Sequence, residues 1–483
     1  MEQTYLSLHS SLSLIIIVGL FFLLIGYLNT KEFTNNSNYI VGDRDENTFS
    51  LTTSLVASAL GAWILFGPAS ASTWGGIGAV VGYALGTAAP MLFLYNFGPK
   101  IRKEFPKGLS LTEFIKKRFG TSILKICLFL ILFYLTIFLI AEVTAIAFLL
   151  NLIAQVPLWI TSGITLIICL LYVLKGGFKL SIITDKYQFG FLVIIIFLSL
   201  FLILGKLEIS SFELIKKNLP NLIDNNYLPN YTAGLTFFIA VAATNLFHQG
   251  NWQRVFSAKN NKTLKLSLIY SSIIVFLIVF WMGYIGLISY SLNSKGNPDL
   301  AFFYLILDKS NFFTIIAVLI LAMSLTLSTI DTLINSISSL IITDGKFINK
   351  IFKKREIMTK AKIIVLFLSL LVFVLASKGY SILYLFLLAD LLCCAAVVTV
   401  FYGFFNNKIN SKVATYSIFA GLICGLLFFP SQNFQSSILV GNLVSIEKFG
   451  SLISSNLLFV SFAISLIIPM IIILIYSFRN SFR

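Results

Sequence analysis

The sequence predicts an all-α integral membrane protein with thirteen transmembrane helices. Two five-helix repeats of inverted topology form its core, flanked by one leading helix and two trailing ones. Three observations carry this reading. Only 11% of the 483 residues are charged and 58% are hydrophobic, with a mean hydropathy of +0.93; soluble domains carry about 25% charged residues. Apolar runs of about eighteen residues or more recur along the chain, each able to cross a hydrocarbon layer about 30 Å thick. Their spacing also repeats itself. The composition excludes a disordered chain, a disulfide scaffold and a soluble enzyme.

The runs, segments 1 to 13, cover 11–28, 50–73, 76–97, 122–153, 157–174, 186–205, 233–256, 266–292, 312–343, 362–378, 381–405, 412–430 and 451–477. Segment 1 has no Lys or Arg before it and no small-residue cleavage site after it, so it reads as a membrane helix rather than a signal peptide. The net charge of +16 is distributed by side. Connections after odd-numbered segments, with the segment ends, hold 28 of the 35 Lys and Arg, and the other side holds 7. Basic residues gather on the cytoplasmic face. The expected location is therefore the inner (plasma) membrane, multi-pass, with the N-terminus outside and the C-terminus (Arg479, Arg483) inside. The clusters Lys100–Lys107 with Lys116–Arg118, and Lys346–Lys362, read as topology signals, with contact to anionic lipid or a partner as the alternative. All five cysteines (Cys127, Cys169, Cys393, Cys394, Cys424) lie in apolar runs without metal-ligand spacing and read as packing residues.

Segments 2–6 begin at 50, 76, 122, 157 and 186, and segments 7–11 at 233, 266, 312, 362 and 381. The third member of each group, 122–153 and 312–343, is the long one. Five is odd, so the second group enters from the opposite face. The expected units are a leading helix and connector (1–49), a first repeat (50–205), an external loop (206–232), a second repeat (233–405) and two trailing helices (406–483). Inverted repeats characterise secondary transporters, whose sites lie at the midplane beside broken helices. Segment 2 carries Gly61, Gly67 and Pro68 mid-span. A proline there removes a donor and frees a carbonyl one turn earlier, which a cation can satisfy; a plain kink is the alternative.

Three carboxylates sit well inside segments: Glu142, Asp331 and Asp390. Such groups face a bundle interior or an ion path, and Glu142 and Asp390 also fit paired structural roles. Along segment 9, Ser324, Ser328, Asp331, Thr332, Asn335, Ser338 and Ser339 recur at steps of three and four, which places them on one helix face. That face suits oxygen ligation of a hard cation such as Na⁺; interhelical hydrogen bonding is the alternative. His248, in Phe247-His248-Gln249-Gly250-Asn251-Trp252, suits either solute contact or packing. No cationic side chain is expected deep in these helices, which weighs against a multiply charged anionic solute.

Three motifs now matter together. Gly176-Gly177 is followed after six residues by Thr184-Asp185-Lys186-Tyr187-Gln188. Trp252-Gln253-Arg254-Val255-Phe256-Ser257-Ala258-Lys259 follows segment 7, and Ser328-Thr329-Ile330-Asp331 runs to Thr343-Asp344. The chain resembles the sodium:solute symporters, carriers of proline, pantothenate, sugars, sialic acid, carboxylates and urea that share a leucine-transporter-type inverted-repeat fold. The resemblance implies a main sodium site of the Ser328 and Thr329 hydroxyls with the backbone carbonyls of Leu325, Ala57 and Leu60. It further implies a second cation site of Asp185, Ser328, Asp331 and Thr332, where Asp331 replaces a serine of relatives. Ala59 stands where proline carriers have an Asp, and the wording of segments 2 and 7 looks nearer to urea-type members.

The resulting expectation is a symporter, not an enzyme, coupling Na⁺ influx to uptake of a small polar organic solute (amino acid, urea, vitamin or carboxylate class) by alternating access. Substrate contacts are expected from Trp63, Phe66, Phe247, His248 and Gln249. The expected partners are the solute, Na⁺ as coupling ion and the bilayer, with no cofactor, nucleic acid or obligatory protein partner. An H⁺-coupled symporter or an uncoupled facilitator of the same fold remains the alternative; a membrane enzyme would need a gathered acid/base or metal cluster.

Overall fold

Inside a bilayer every backbone polar group must find a partner within the protein, and helices do this segment by segment. The computed structural model describes residues 5–29, 36–206, 211–292, 296–307, 311–348, 357–406, 409–432 and 455–479, with 434, 436, 437, 439 and 453 besides. Arg483 and, within the second basic cluster, Lys350, Lys353, Lys354 and Arg355 lie outside them. The helices, in chain order, are α1 (Leu8–Asn29), α2 (Asn36–Val41), α3 (Thr48–Ala59), α4 (Gly67–Glu104), α5 (Leu111–Ala154), α6 (Leu158–Lys206), α7 (Ser211–Asn218) and α8 (Leu228–Phe247). They continue as α9 (Gln249–Ser257), α10 (Asn261–Leu292), α11 (Ala301–Leu307), α12 (Phe312–Ile348), α13 (Ile357–Ala376), α14 (Ile382–Tyr402), α15 (Ser411–Phe428) and α16 (Leu457–Arg479). Among the described residues there is no strand, only isolated bridges such as Glu46 with Ala258.

Nine of these helices are individually long and apolar enough to cross a membrane, and α6 adds a bent pair. That is fewer than thirteen because breaks and bends redistribute the segments. Segment 2 is divided between α3, a short 3-10 turn (Ala62–Leu65) and the first turns of α4; segment 3 is the rest of α4. Segments 5 and 6 share α6, which turns at Gly177 (φ 55°). Only glycine takes this backbone conformation without strain, and a Cβ there would also stand 2.7 Å from the Tyr39 ring.

The break in segment 2 falls at Gly61, the first of the three mid-span residues the sequence singles out, and not at Pro68. Pro68 lies in the first turn of α4, where no donor is needed. The helix stops at Ala59: Leu60 (φ −116°, ψ 81°) leaves helical geometry and Gly61 (φ −80°, ψ −166°) is extended before the 3-10 turn. Segment 7, first of the second repeat, is broken too. His248 (φ −64°, ψ 110°) separates α8 from α9 and caps the latter by accepting the Gly250 N–H on Nδ1 at 3.1 Å. Glu46 ties the two broken segments together at their ends, through Glu46 N–H to Ser257 O (3.2 Å) and Lys259 N–H to Glu46 O (3.0 Å).

Candidate functional site

The break at Leu60–Gly61 packs against the middle of α12 and against Glu142 of α5. A Cβ on Gly61 would stand 2.4 Å from both Thr329 Oγ1 and Glu142 Oε1. Glycine is required here by the close approach of two oxygen-bearing side chains. Glu142, wholly buried, accepts the backbone N–H groups of Ala62 (2.9 Å) and Trp63 (3.4 Å) on the far side of the break. These are amides that helix ends leave without intrahelical acceptors, so the carboxylate closes the ledger of the interrupted segment.

All five expected ligands of the main cation site are buried: Ala57, Leu60, Leu325, Ser328 and Thr329 are each at most 3% exposed. The Ala57 carbonyl shares the Leu60 N–H with the Val56 carbonyl, at 3.3 and 3.1 Å, a loose bifurcated helix end. Ser328 donates its proton to Asp185 Oδ1 (2.8 Å), which leaves its oxygen lone pairs turned elsewhere. Thr329 Oγ1 is buried without any hydrogen-bond partner. Buried hydroxyls are nearly always satisfied, so this orphan oxygen beside unwound backbone is suited to a small hard cation.

The Asp185, Ser328, Asp331 and Thr332 group is also brought together, with an addition the sequence reading excluded. Arg254 of α9 is 1% exposed and pairs with Asp185 (Nη2 to Oδ2, 2.8 Å). Its Nε donates to Ser54 Oγ (2.8 Å), Nη1 to the Gly250 carbonyl (3.0 Å) and Nη2 more distantly to Thr332 Oγ1 (3.4 Å). Ser54 completes the cluster by donating to Asp185 Oδ2 at 2.5 Å. The expectation that no cation lies deep in these helices is thus corrected. A guanidinium is tolerated there because a carboxylate, a hydroxyl and a carbonyl share its protons. Asp331 is held by Ser181 (2.7 Å) and Thr184 (3.1 Å) from α6, and Thr332 donates to it at 3.3 Å. The turn at Gly177 carries these α6 residues back onto α12.

Beside the break lies a small cavity of about 20 Å³, lined by residues that include Ser58, Trp63, Tyr83, His248, Thr329 and Asp390. Of the five expected solute contacts, Trp63 and His248 reach it. Phe66 packs on Phe303 instead (5.0 Å between centroids), and Phe247 packs on Phe401 (5.4 Å). Gln249 donates Nε2 to the Leu109 carbonyl (2.9 Å) and Ser339 Oγ (3.4 Å), so it holds α9 to its neighbours. A break at His248 turns successive side chains in directions that helical spacing cannot foresee. A larger groove of about 680 Å³ between α6 and α13 is almost wholly apolar and opens outward, as expected of a lipid-facing surface.

Tyr83, Phe138, Asn245, Asn251 and Phe386 also line the cavity and were missed. Tyr83, Phe138, Asn245 and Phe386 are ordinary residues within apolar helices, with no local signal to distinguish them, and Asn251 of the short polar α9 was named only as part of its motif. Asp390 and Glu142 were legible as intramembrane carboxylates; what they face was not.

The pattern of the sodium:solute symporter family matches residues 39–425. The spermidine transporter DUR31 of Candida albicans is 25% identical over 388 residues, covering 79% of this chain and 72% of its own. A Na⁺-coupled sialic acid symporter, solved substrate-bound and outward-open, superposes with a TM-score of 0.75 at 17% identity over 96% of both chains. Mhp1, a nucleobase-cation-symport-1 family transporter, superposes at 0.51 with 14% identity, covering 92% of this chain and 96% of that one. At such identities these two likenesses speak for the fold. With the family pattern spanning most of its length, the chain belongs to the sodium:solute symporter family.

Proposed function

We propose that this protein is a secondary active symporter that uses Na⁺ influx to take up a small polar organic solute. One Na⁺ binds between the Ala57 and Leu60 carbonyls of the broken helix and the Leu325 carbonyl, Ser328 and Thr329 of α12. The observation that carries this is the orphan Thr329 oxygen facing unwound backbone. Together these groups offer the hard oxygen ligands that a desolvated alkali cation needs. Moving one charge down 100 mV releases about 2.3 kcal/mol, enough for roughly fifty-fold accumulation. Binding at the break stabilises the conformer that accepts solute, and closure follows when both sites are filled.

The solute contacts in this reading are Trp63 and His248, which share a cavity with Thr329. The kinship with a spermidine transporter brings polyamines into the range of solutes, beside the amino acid, urea, vitamin and carboxylate classes. A second ion at Asp185, Ser328, Asp331 and Thr332 would require Arg254 to withdraw, so one Na⁺ per cycle is the reading favoured by the ion pair. The repeats 50–205 and 233–405 are the halves that rock about the site. The membrane is the plasma membrane, the N-terminus outside and the C-terminus inside.

Proteoliposome uptake with and without an inward Na⁺ gradient tests the proposal. Thermal unfolding in Na⁺ and in choline should differ for the wild type, and Ser328→Ala with Thr329→Ala should erase that difference. A Na⁺ effect that survives the double substitution undiminished would place the ion elsewhere. Glu142 beside Thr329 favours one second reading, proton coupling, which predicts uptake driven by a pH gradient in Na⁺-free buffer.

A further inference from the structure

The central cavity has a particular balance of charge. Asp390 of α14 is 3% exposed, accepts the Thr244 hydroxyl at 2.6 Å, and has no Lys, Arg or His nitrogen within 4.0 Å among the described residues. The other buried carboxylates nearby have a cation or at least two donors each, where Asp390 has the single Thr244 hydroxyl. Arg254 pairs with Asp185, Ser181 and Thr184 donate to Asp331, and two backbone amides donate to Glu142. A buried carboxylate without a cation is costly, and here it borders a cavity.

The rest of the lining repeats that preference. Trp63 stacks on Tyr83 (5.4 Å, 15°) and meets Phe386 edge-on at 6.3 Å, and Phe138 closes on Phe386 at 4.6 Å. Aromatic faces attract cations. The Asn245 and Asn251 amide nitrogens each spend one N–H on a backbone carbonyl, at 2.9 Å, and both side-chain oxygens remain as acceptors for a guest. The indole N–H of Trp63 is likewise spent on Ala59 O (3.1 Å). His248 accepts a backbone N–H on Nδ1, so its ring is neutral with its proton on Nε2. The cavity therefore presents acceptors and π-faces beside the His248 Nε2–H and the Tyr83 hydroxyl, and no positive charge.

We infer that the solute of this transporter is a cationic amine, its ammonium group bound at Asp390 and its carbon chain laid along the Trp63, Tyr83 and Phe386 rings. This rests on the symporter reading above and names the solute class for the same site. The present cavity of about 20 Å³ has room for no more than about one water-sized group, so the amine enters a more open conformer. The carboxylate and the orphan Thr329 oxygen border one space, so amine and Na⁺ bind beside each other.

The test uses the full-length protein in nanodiscs with Na⁺ present, and four probes of equal chain length: butylamine, diaminobutane, butyramide and butyrate. Unfolding midpoint and intrinsic tryptophan fluorescence are read against probe concentration. The two amines should shift both signals, butyramide at least tenfold more weakly, and butyrate not at all. Asp390→Asn should weaken amine binding at least tenfold while the Na⁺-induced shift persists. Trp63→Leu should weaken it severalfold, and Asp390→Glu should restore part of the affinity lost in Asp390→Asn. Equal responses to butylamine and butyramide, or amine binding unchanged in Asp390→Asn, would overturn the amine assignment and leave the symporter reading intact. Absence of any Na⁺ shift in the wild type would instead overturn the symporter reading.

Discussion

Replacing Thr329 by Val deletes one oxygen and keeps the side-chain shape. In the protein without Na⁺ that oxygen is buried at a residue only 3% exposed and has no partner. An unsatisfied buried polar group costs about 1–3 kcal/mol, so Thr329→Val should be as stable as the wild type in choline buffer, or more stable by up to that amount. Sodium reverses the order. A ligand present at a hundred times its dissociation constant stabilises by about 2.7 kcal/mol, and the variant has lost one of five ligands. The wild-type stability should climb with Na⁺ concentration while that of Thr329→Val stays nearly flat, so that their curves converge or cross. The assay is denaturant unfolding in nanodiscs across a Na⁺ series at constant ionic strength, with choline as replacement. A variant less stable than wild type in choline that still gains the full Na⁺ increment would refute the assignment of the orphan oxygen to the ion.

Three further outcomes are expected. Arg254→Met leaves Asp185 buried without its counter-charge and should cost about 3–5 kcal/mol in unfolding free energy; adding Asp185→Asn should recover much of it, and a simple sum of the two losses would argue against a shared cluster. Gly61→Ala would place a Cβ 2.4 Å from both Thr329 Oγ1 and Glu142 Oε1; a loss of about 1–3 kcal/mol from the forced shift should come with weakened Na⁺ stabilisation, and Na⁺ titration of purified protein would show whether the two change together. Asp299, in the segment before α11, accepts the hydroxyls of Ser70 (2.8 Å) and Ser381 (3.1 Å), linking the start of α4 to the N-cap of α14. Burial raises its carboxyl above the ordinary value, against hydrogen bonds from Ser70, Ser381 and the Ile382 amide. The folded chain therefore binds this proton more tightly than the unfolded chain, so stability from this group is present at low pH and lost as pH rises from about 4; Asp299→Asn should flatten that part of the pH–stability profile, and an unchanged profile would assign the dependence to another group.

Much was readable along the chain because a membrane imposes simple rules. Lengths of apolar runs place most of the helices, and the three- and four-residue steps of segment 9 put Ser328, Asp331 and Thr332 on one face of α12. Those are local properties: each depends on residues within a turn or two of one another. The break at Leu60–Gly61 was readable from Gly61 itself, while Pro68 marked a second point where the backbone is already helical. Other features depend on residues far apart in sequence. Arg254 and Asp185 are 69 positions apart, and only the break at His248 and the turn at Gly177 set them face to face. Thr329 comes to lack a partner because α3, α5 and α12 converge there, and Asp390 comes to border Trp63 by the packing of α14 on α5 and α8. Which charges meet is decided by packing, since a side chain's periodicity fixes its direction on its own helix and says nothing of what stands opposite.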